Sequence, residues 1–151
     1  MRKEKLPGEE KYPYSREVPC FSFKGQKVWC RQLNPERSLH EVVNDGGSLW
    51  VLGCKTEEEG TAYETLNQGS TEILGAVFCL GWKNQNPAII NNNSNVSVFA
   101  CTFDMSRMQY WPLAVQEIRG EETKYLHGKE MPVSHMGSYV IPLYIGRTVE
   151  K

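Results

Sequence analysis

No stretch of 18 apolar residues occurs in the 151-residue sequence, so no membrane-spanning helix is expected. Charge of one sign is also lacking. Lys and Arg number 17 against 18 Asp and Glu, a formal net charge of −1. That excludes a broad electrostatic pull toward nucleic acid or anionic lipid. The five cysteines, at 20, 30, 54, 79 and 101, include no C-x-x-C pair, which argues against a zinc or thioredoxin-like site. Their odd number does not suit a complete disulfide framework, so buried reduced thiols are expected. His40, His127 and His135 are scattered without Ser/His/Asp or His-x-His spacing. No Walker-type phosphate loop and no strongly amphipathic helix pattern is present. Residues 1–19 are polar, carry Pro7, Pro13 and Pro19, and lack an apolar h-region. They read as a flexible lead-in and not as a signal peptide.

What the sequence does hold is a repeat. Asn44 to Thr56 (NDGGSLWVLGCKT), Asn67 to Phe78 (NQGSTEILGAVF) and Asn91 to Thr102 (NNNSNVSVFACT) each pass from a polar, Gly/Asn-rich turn into a short apolar strand. Leu52-Gly53-Cys54, Leu74-Gly75-Ala76 and Val98-Phe99-Ala100 align at separations of 22 and 24 residues. Val28-Trp29-Cys30 lies 22 residues before Trp50-Val51-Leu52 and supplies an earlier strand. Strands at this period without helical spacers predict a coil that winds once per repeat. The fold class expected is all-β, a right-handed parallel β-helix of few coils with a C-terminal β cap.

Alternate residues of a strand face opposite sides. On that rule the interior set is Val28, Cys30, Trp50, Leu52, Cys54, Leu74, Ala76, Phe78, Val96, Val98 and Ala100. Glu72 falls in the same set, a misfit for a core position. Thr61 to Leu66 and Pro87 to Ile90 read as second strands of their coils. Asp45, Asn67 and Asn91 fall at one corner, where stacked amides could hydrogen-bond from coil to coil. The organisation expected is a lead-in over 1–19, coils over 20–104 and capping strands over 105–151. Within the cap, Leu113 to Arg119, Thr123 to Leu126 and Tyr139 to Ile145 read as strands. Such a cover protects the open strand edges at the end of a solenoid.

Several segments in fixed order resemble the C-terminal part of the bacterial pectate-lyase superfamily. They are VWCRQLNPE (28–36), NDGGSLWVLGCKTE (44–57), GTAYETLNQGSTEILGAVF (60–78), PAIINNNSNVSVF (87–99) and VIPLYIG (140–146). The resemblance covers nearly everything from residue 20 onward. It implies a carbohydrate context, with polysaccharide as the partner, and an extracellular or periplasmic location. It also implies that the N-terminal coils of a longer parent chain would carry catalysis, this stretch corresponding to the closing coils.

Hydrolysis and elimination of a polysaccharide make different demands on side chains. A polygalacturonase-like hydrolase groups several Asp residues, yet only Asp45 and Asp104 occur, more than two coils apart. A lyase needs Ca²⁺-binding carboxylates near a basic residue. The one dense acidic group is Glu57, Glu58, Glu59, Glu64 and Glu72. Glu64 and Glu72, with Lys55 or Arg31 as base, are therefore the weak catalytic candidates, and Ca²⁺ is implied only under that alternative. No other cofactor is expected. Sugar contact is better suited to aromatics in or near loops, whose faces pack on pyranose C–H faces: Tyr63, Trp82, Tyr110 and Trp111. Trp29 and Trp50, on strands, are assigned to packing. A carbohydrate-associated module without catalysis is the leading reading, and a structural capping fragment of a larger solenoid is the alternative.

Overall fold

The computed structural model describes residues 17–36, 38–58, 60–80, 85–104, 112–133 and 138–148. The chain folds as a parallel β-solenoid. Each turn lays one strand in each of two sheets. The first sheet orders β1 (Phe21–Lys24), β3 (His40–Asp45), β5 (Thr61–Leu66), β7 (Ile89–Asn92), β9 (Leu113–Arg119) and β10 (Glu122–His127). The second orders β2 (Lys27–Leu33), β4 (Ser48–Glu58), β6 (Ser70–Leu80), β8 (Asn95–Asp104) and β11 (Tyr139–Gly146). Pairing is parallel from β1 to β9 and from β2 to β8. β10 and β11 then close the two sheets antiparallel, on β9 and β8.

Chain chemistry explains the turns from the first sheet to the second. Gly25, Gly46, Asn67 and Asn93 sit there with φ of 63°, 68°, 53° and 46°, and Gly120, with φ of 58°, takes the same conformation in the hairpin between β9 and β10. Only Gly and, at modest cost, Asn take this left-handed conformation readily. The corner is tied from rung to rung by backbone bonds, Gly25 N–H to Asp45 O at 2.8 Å and Gly46 N–H to Leu66 O at 3.0 Å. Asn67 Nδ2 donates to Asp45 Oδ1 at 2.7 Å, so the expected coil-to-coil corner contact forms between these two. Asn91 does not join them. It is fully buried one column inward, in line with Asn44, Thr65 and Glu117.

The expected interior set is corrected by the register. Each long strand carries one left-handed residue at the same place: Gln32 (54°), Gly53 (76°), Gly75 (75°) and Ala100 (53°). That residue reverses the alternation, so neighbours on either side of it do not share parity. Before the bend the core takes Leu49 and Val51, Thr71 and Ile73, Val96 and Val98. After it the core takes Cys54 and Thr56, Ala76 and Phe78, Cys101 and Phe103. Cys54, Ala76, Phe78, Val96 and Val98 are interior as expected, whereas Leu52, Leu74 and Ala100 are exposed and Trp50 is half-buried. Glu72 lies outside with Trp50, which removes the misfit. The stacking partners are Trp29 with Trp50 and Leu74 with Phe99, separations of 21 and 25 residues in place of 22 and 24.

The core columns run the length of the solenoid. Val51, Ile73 and Val98 stack in register, as do Val42, Tyr63, Ile89 and Val115 in the first sheet. Tyr63, Phe78 and Phe103 pack together in the core, with Phe78 edge-on to Phe103 at 5.4 Å. At the C-terminal end Tyr144 of β11 plugs the buried polar column. Its hydroxyl donates to Glu117 Oε2 at 2.7 Å and accepts from Asn91 Nδ2 at 3.2 Å. Arg119 donates to Asn91 Oδ1 at 3.2 Å and forms an ion pair with Glu117 Oε1 at 3.1 Å, while its Nε is buried without a hydrogen-bond partner.

Candidate functional site on the outer face of the second sheet

The parity reversal sets what this face displays. Ahead of the bend, outward residues fall into columns because the rungs are in register. One column is Trp29, Trp50, Glu72, Ser97 and Ile145; the next is Arg31, Leu52, Leu74, Phe99 and Leu143. The indoles of Trp29 and Trp50 stack at 4.9 Å with 7° between their planes, and Trp29 is 70% exposed. Leu52, Leu74, Phe99, Leu143 and Ile145 are exposed as well. A contiguous apolar strip of this kind marks an interaction surface.

Two depressions cut the strip. The first, a groove of about 340 Å³, is lined by Trp29, Arg31, Trp50, Leu52, Glu72 and Leu74. The second, a cleft of about 410 Å³, has Trp50 at one side and Ser70, Glu72, Asn95, Ser97 and Arg147 around it. Asn95 Oδ1 accepts from the backbone N–H and hydroxyl of Thr148 at 3.0 and 3.2 Å, which ties the segment bearing Arg147 to the edge of the cleft. The groove is therefore aromatic and aliphatic with Arg31 and Glu72 in its lining, and the cleft carries hydroxyl, amide and guanidinium groups together with the Glu72 carboxylate. Of the two Trp residues, assigned to packing from the sequence, Trp29 is exposed and Trp50, half-buried, stacks against it on the same outer face. The lost signal was the bend: a single left-handed residue per strand decides which aromatics face out.

The proposed catalytic residues are dispersed. Glu64 lies on β5 in the first sheet, with Oε2 2.9 Å from His40 Nδ1. Lys55 contacts Glu57 and lies 3.7 Å from Glu36, which occupies it on the far side of the bend. Glu72 and Arg31 do share the groove, without Lys55 or Glu64. Among the described residues no group of three His, Cys, Asp or Glu is placed to hold a metal ion. Glu57, Glu64 and Glu72 thus do not form the Ca²⁺-binding cluster envisaged from the sequence, because the turn after β4 carries Glu64 into the other sheet.

Tyr63 is corrected as a sugar-contact residue. It is 1% exposed, packs against Phe78, and donates its hydroxyl to Cys54 Sγ at 2.9 Å. Trp82, Tyr110 and Trp111 lie outside the described residues. Burial pushes the Cys54 thiol up to about 12, the Tyr63 hydrogen bond opposing that shift. Burial likewise raises Cys101 and Tyr63. These groups stay protonated and inert in the core, as expected of a structural thiol. Comparison with family models, with curated proteins and with solved structures gives no match.

Proposed function

We propose that this chain is a carbohydrate-associated β-solenoid module that holds polysaccharide against the outer face of the second sheet without cleaving it. The observation that carries the reading is the cleft beside Trp50. An indole there adjoins Ser70, Asn95, Ser97 and Arg147. Pyranose rings combine apolar C–H faces with a rim of hydroxyls, so an aromatic surface next to short polar side chains suits them. Arg147 adds a charged donor for an acidic saccharide. The resemblance to the pectate-lyase superfamily points to the same ligand class. The non-catalytic half of the reading rests on the dispersal of Glu57, Glu64 and Glu72.

Affinity electrophoresis in gels containing polygalacturonate or other uronic-acid polymers tests the binding. Retardation that weakens in Trp50→Ala is expected. Equal mobility with and without every polymer would end the carbohydrate reading. Incubation with the same polymers and Ca²⁺ should give no growth of ultraviolet absorbance from unsaturated uronates. Growth lost in Glu64→Gln would restore the lyase alternative.

A second reading, a module that terminates a solenoid, has its own support in the two ends. β10 and β11 close one end antiparallel, while the outer edges of β1 and β2 pair with no described strand. Fusing one further copy of the β3–β4 rung ahead of Phe21 should raise the thermal midpoint if that end accepts a rung. An unchanged or lower midpoint counts against it.

A further inference from the structure

The groove holds two charges of opposite sign, and neither has an ion-pair partner among the described residues. Arg31 lies on β2, in register with Leu52 and Leu74. Glu72 lies on β6, in register with Trp50. They flank the β4 rung, one on each side, and are offset by two residues along the strands. Strand geometry puts their Cα atoms about 12 Å apart with Trp50 and Leu52 between them, and the two side chains form no direct pair. Between them the surface is apolar: Trp50 and Leu52, with Trp29 and Leu74 at the margins.

This layout is self-complementary. Consider a two-fold axis in the plane of the face, passing through β4 between Trp50 and Leu52, perpendicular to the line from Arg31 to Glu72. It sets each copy's Arg31 against the other copy's Glu72. Both ion pairs form together, because an isologous contact repeats every interaction. The same operation lays Trp50 and Leu52 against the apolar centre of the facing groove. From this geometry we infer that the groove is the contact between two copies of the chain. The proposal goes beyond the polysaccharide reading and competes with it for Trp50 and Glu72, which line both the groove and the cleft, so sedimentation tests the one and polymer retardation the other.

The occupant follows from the chemistry. A solvated sugar-binding groove does not need six contiguous side chains dominated by indole and leucine. A second copy covers that surface and neutralises both charges at once, with specificity set by the charge pattern. An unrelated protein partner would have to bring its own matching acid and base.

Sedimentation velocity of the full chain tests the proposal. The wild type should show a concentration-dependent dimer. Arg31→Glu places like charges opposite each other, as does Glu72→Arg, and each should weaken the dimer more than about tenfold. Circular dichroism of both variants should match the wild type, since both side chains face solvent. An equimolar mixture of the two variants should restore the dimer. In that mixture a groove with carboxylates at both charged positions faces one with guanidinium groups at both. A wild type that stays monomeric at every concentration overturns the proposal, whether the face is covered by the chain itself or is free for saccharide. A mixture that remains monomeric overturns it equally, since rescue requires the charges to meet between chains. Loss of polymer retardation in Arg31→Glu without any change in sedimentation would reassign the groove to saccharide.

Discussion

Ile73 and Leu74 are neighbours in β6, and the bend decides which of them holds the solenoid together. Ile73 is fully buried, stacked between Val51 and Val98. Leu74 is 40% exposed on the outer face, between Leu52 and Phe99. Ile73→Ala removes the burial of three carbon groups, about 2 kcal/mol at roughly 0.8 kcal/mol each. The rungs above and below cannot collapse into the gap without losing register, so a cavity term adds to it, for a total of about 2–5 kcal/mol. Leu74→Ala opens no enclosed cavity, and its cost should stay below about 1 kcal/mol. Urea unfolding followed by tryptophan fluorescence and by circular dichroism measures both variants. Equal costs for the two, or a larger one for Leu74→Ala, would refute the bend as the element that sets the core. If the groove forms a dimer contact, the comparison belongs at protein concentrations where the chain is monomeric.

Three further outcomes are expected. Ala100 holds the left-handed place that Gly53 and Gly75 hold in earlier rungs, with φ of 53°, so Ala100→Gly should stabilise by about 1 kcal/mol in the same urea assay. A Cβ on Gly146 would collide with the Tyr144 hydroxyl and the Asn91 amide, so Gly146→Ala should release β11 and raise hydrogen exchange in β8 while leaving β4 protected. Cys54 is raised from 9.0 to about 12 in the fold. Stability should therefore be fully present below pH about 9 and fall as pH climbs toward about 12, by about 1.4 kcal/mol per pH unit per proton released on unfolding. Cys54→Val should flatten that slope; an unchanged slope would mean that Cys101 and Tyr63 account for all of it.

The fold was legible because turn chemistry repeats. Asn and Gly in the polar turns, with short apolar strands between them, fixed the number of rungs and their order. The separate strand segments of the C-terminal cap were legible for the same reason, from Gly120 and the Pro-containing loop before Tyr139. What the sequence hid was orientation. Period-two counting assumes an unbroken strand, and Gln32 and Ala100 carry no visible sign of a left-handed backbone. Gly53 and Gly75 do carry one, and their equivalent spacing was the available clue to the bend. Without it Trp29, Trp50, Leu52 and Leu74 read as interior or packing residues. Glu64 was grouped with Glu57 because they are close along the chain, whereas the turn between β4 and β5 moves them to different sheets.

The left-handed residue in each long strand also governs how this protein can change length. Gly53 and Gly75 occupy the same phase of successive turns. Joining Leu52 directly to Gly75 would remove one whole turn, β5 included, and leave every remaining side chain on its present face. Removing one residue more or fewer would turn half of a strand inside out. The solenoid is thus a ruler graduated in whole rungs, on which the span of the outer face can be shortened or extended stepwise while the spacing of its columns stays constant. A chain lacking residues 53–74 should keep the far-ultraviolet circular dichroism of a β-solenoid, and one lacking 53–73 should lose it.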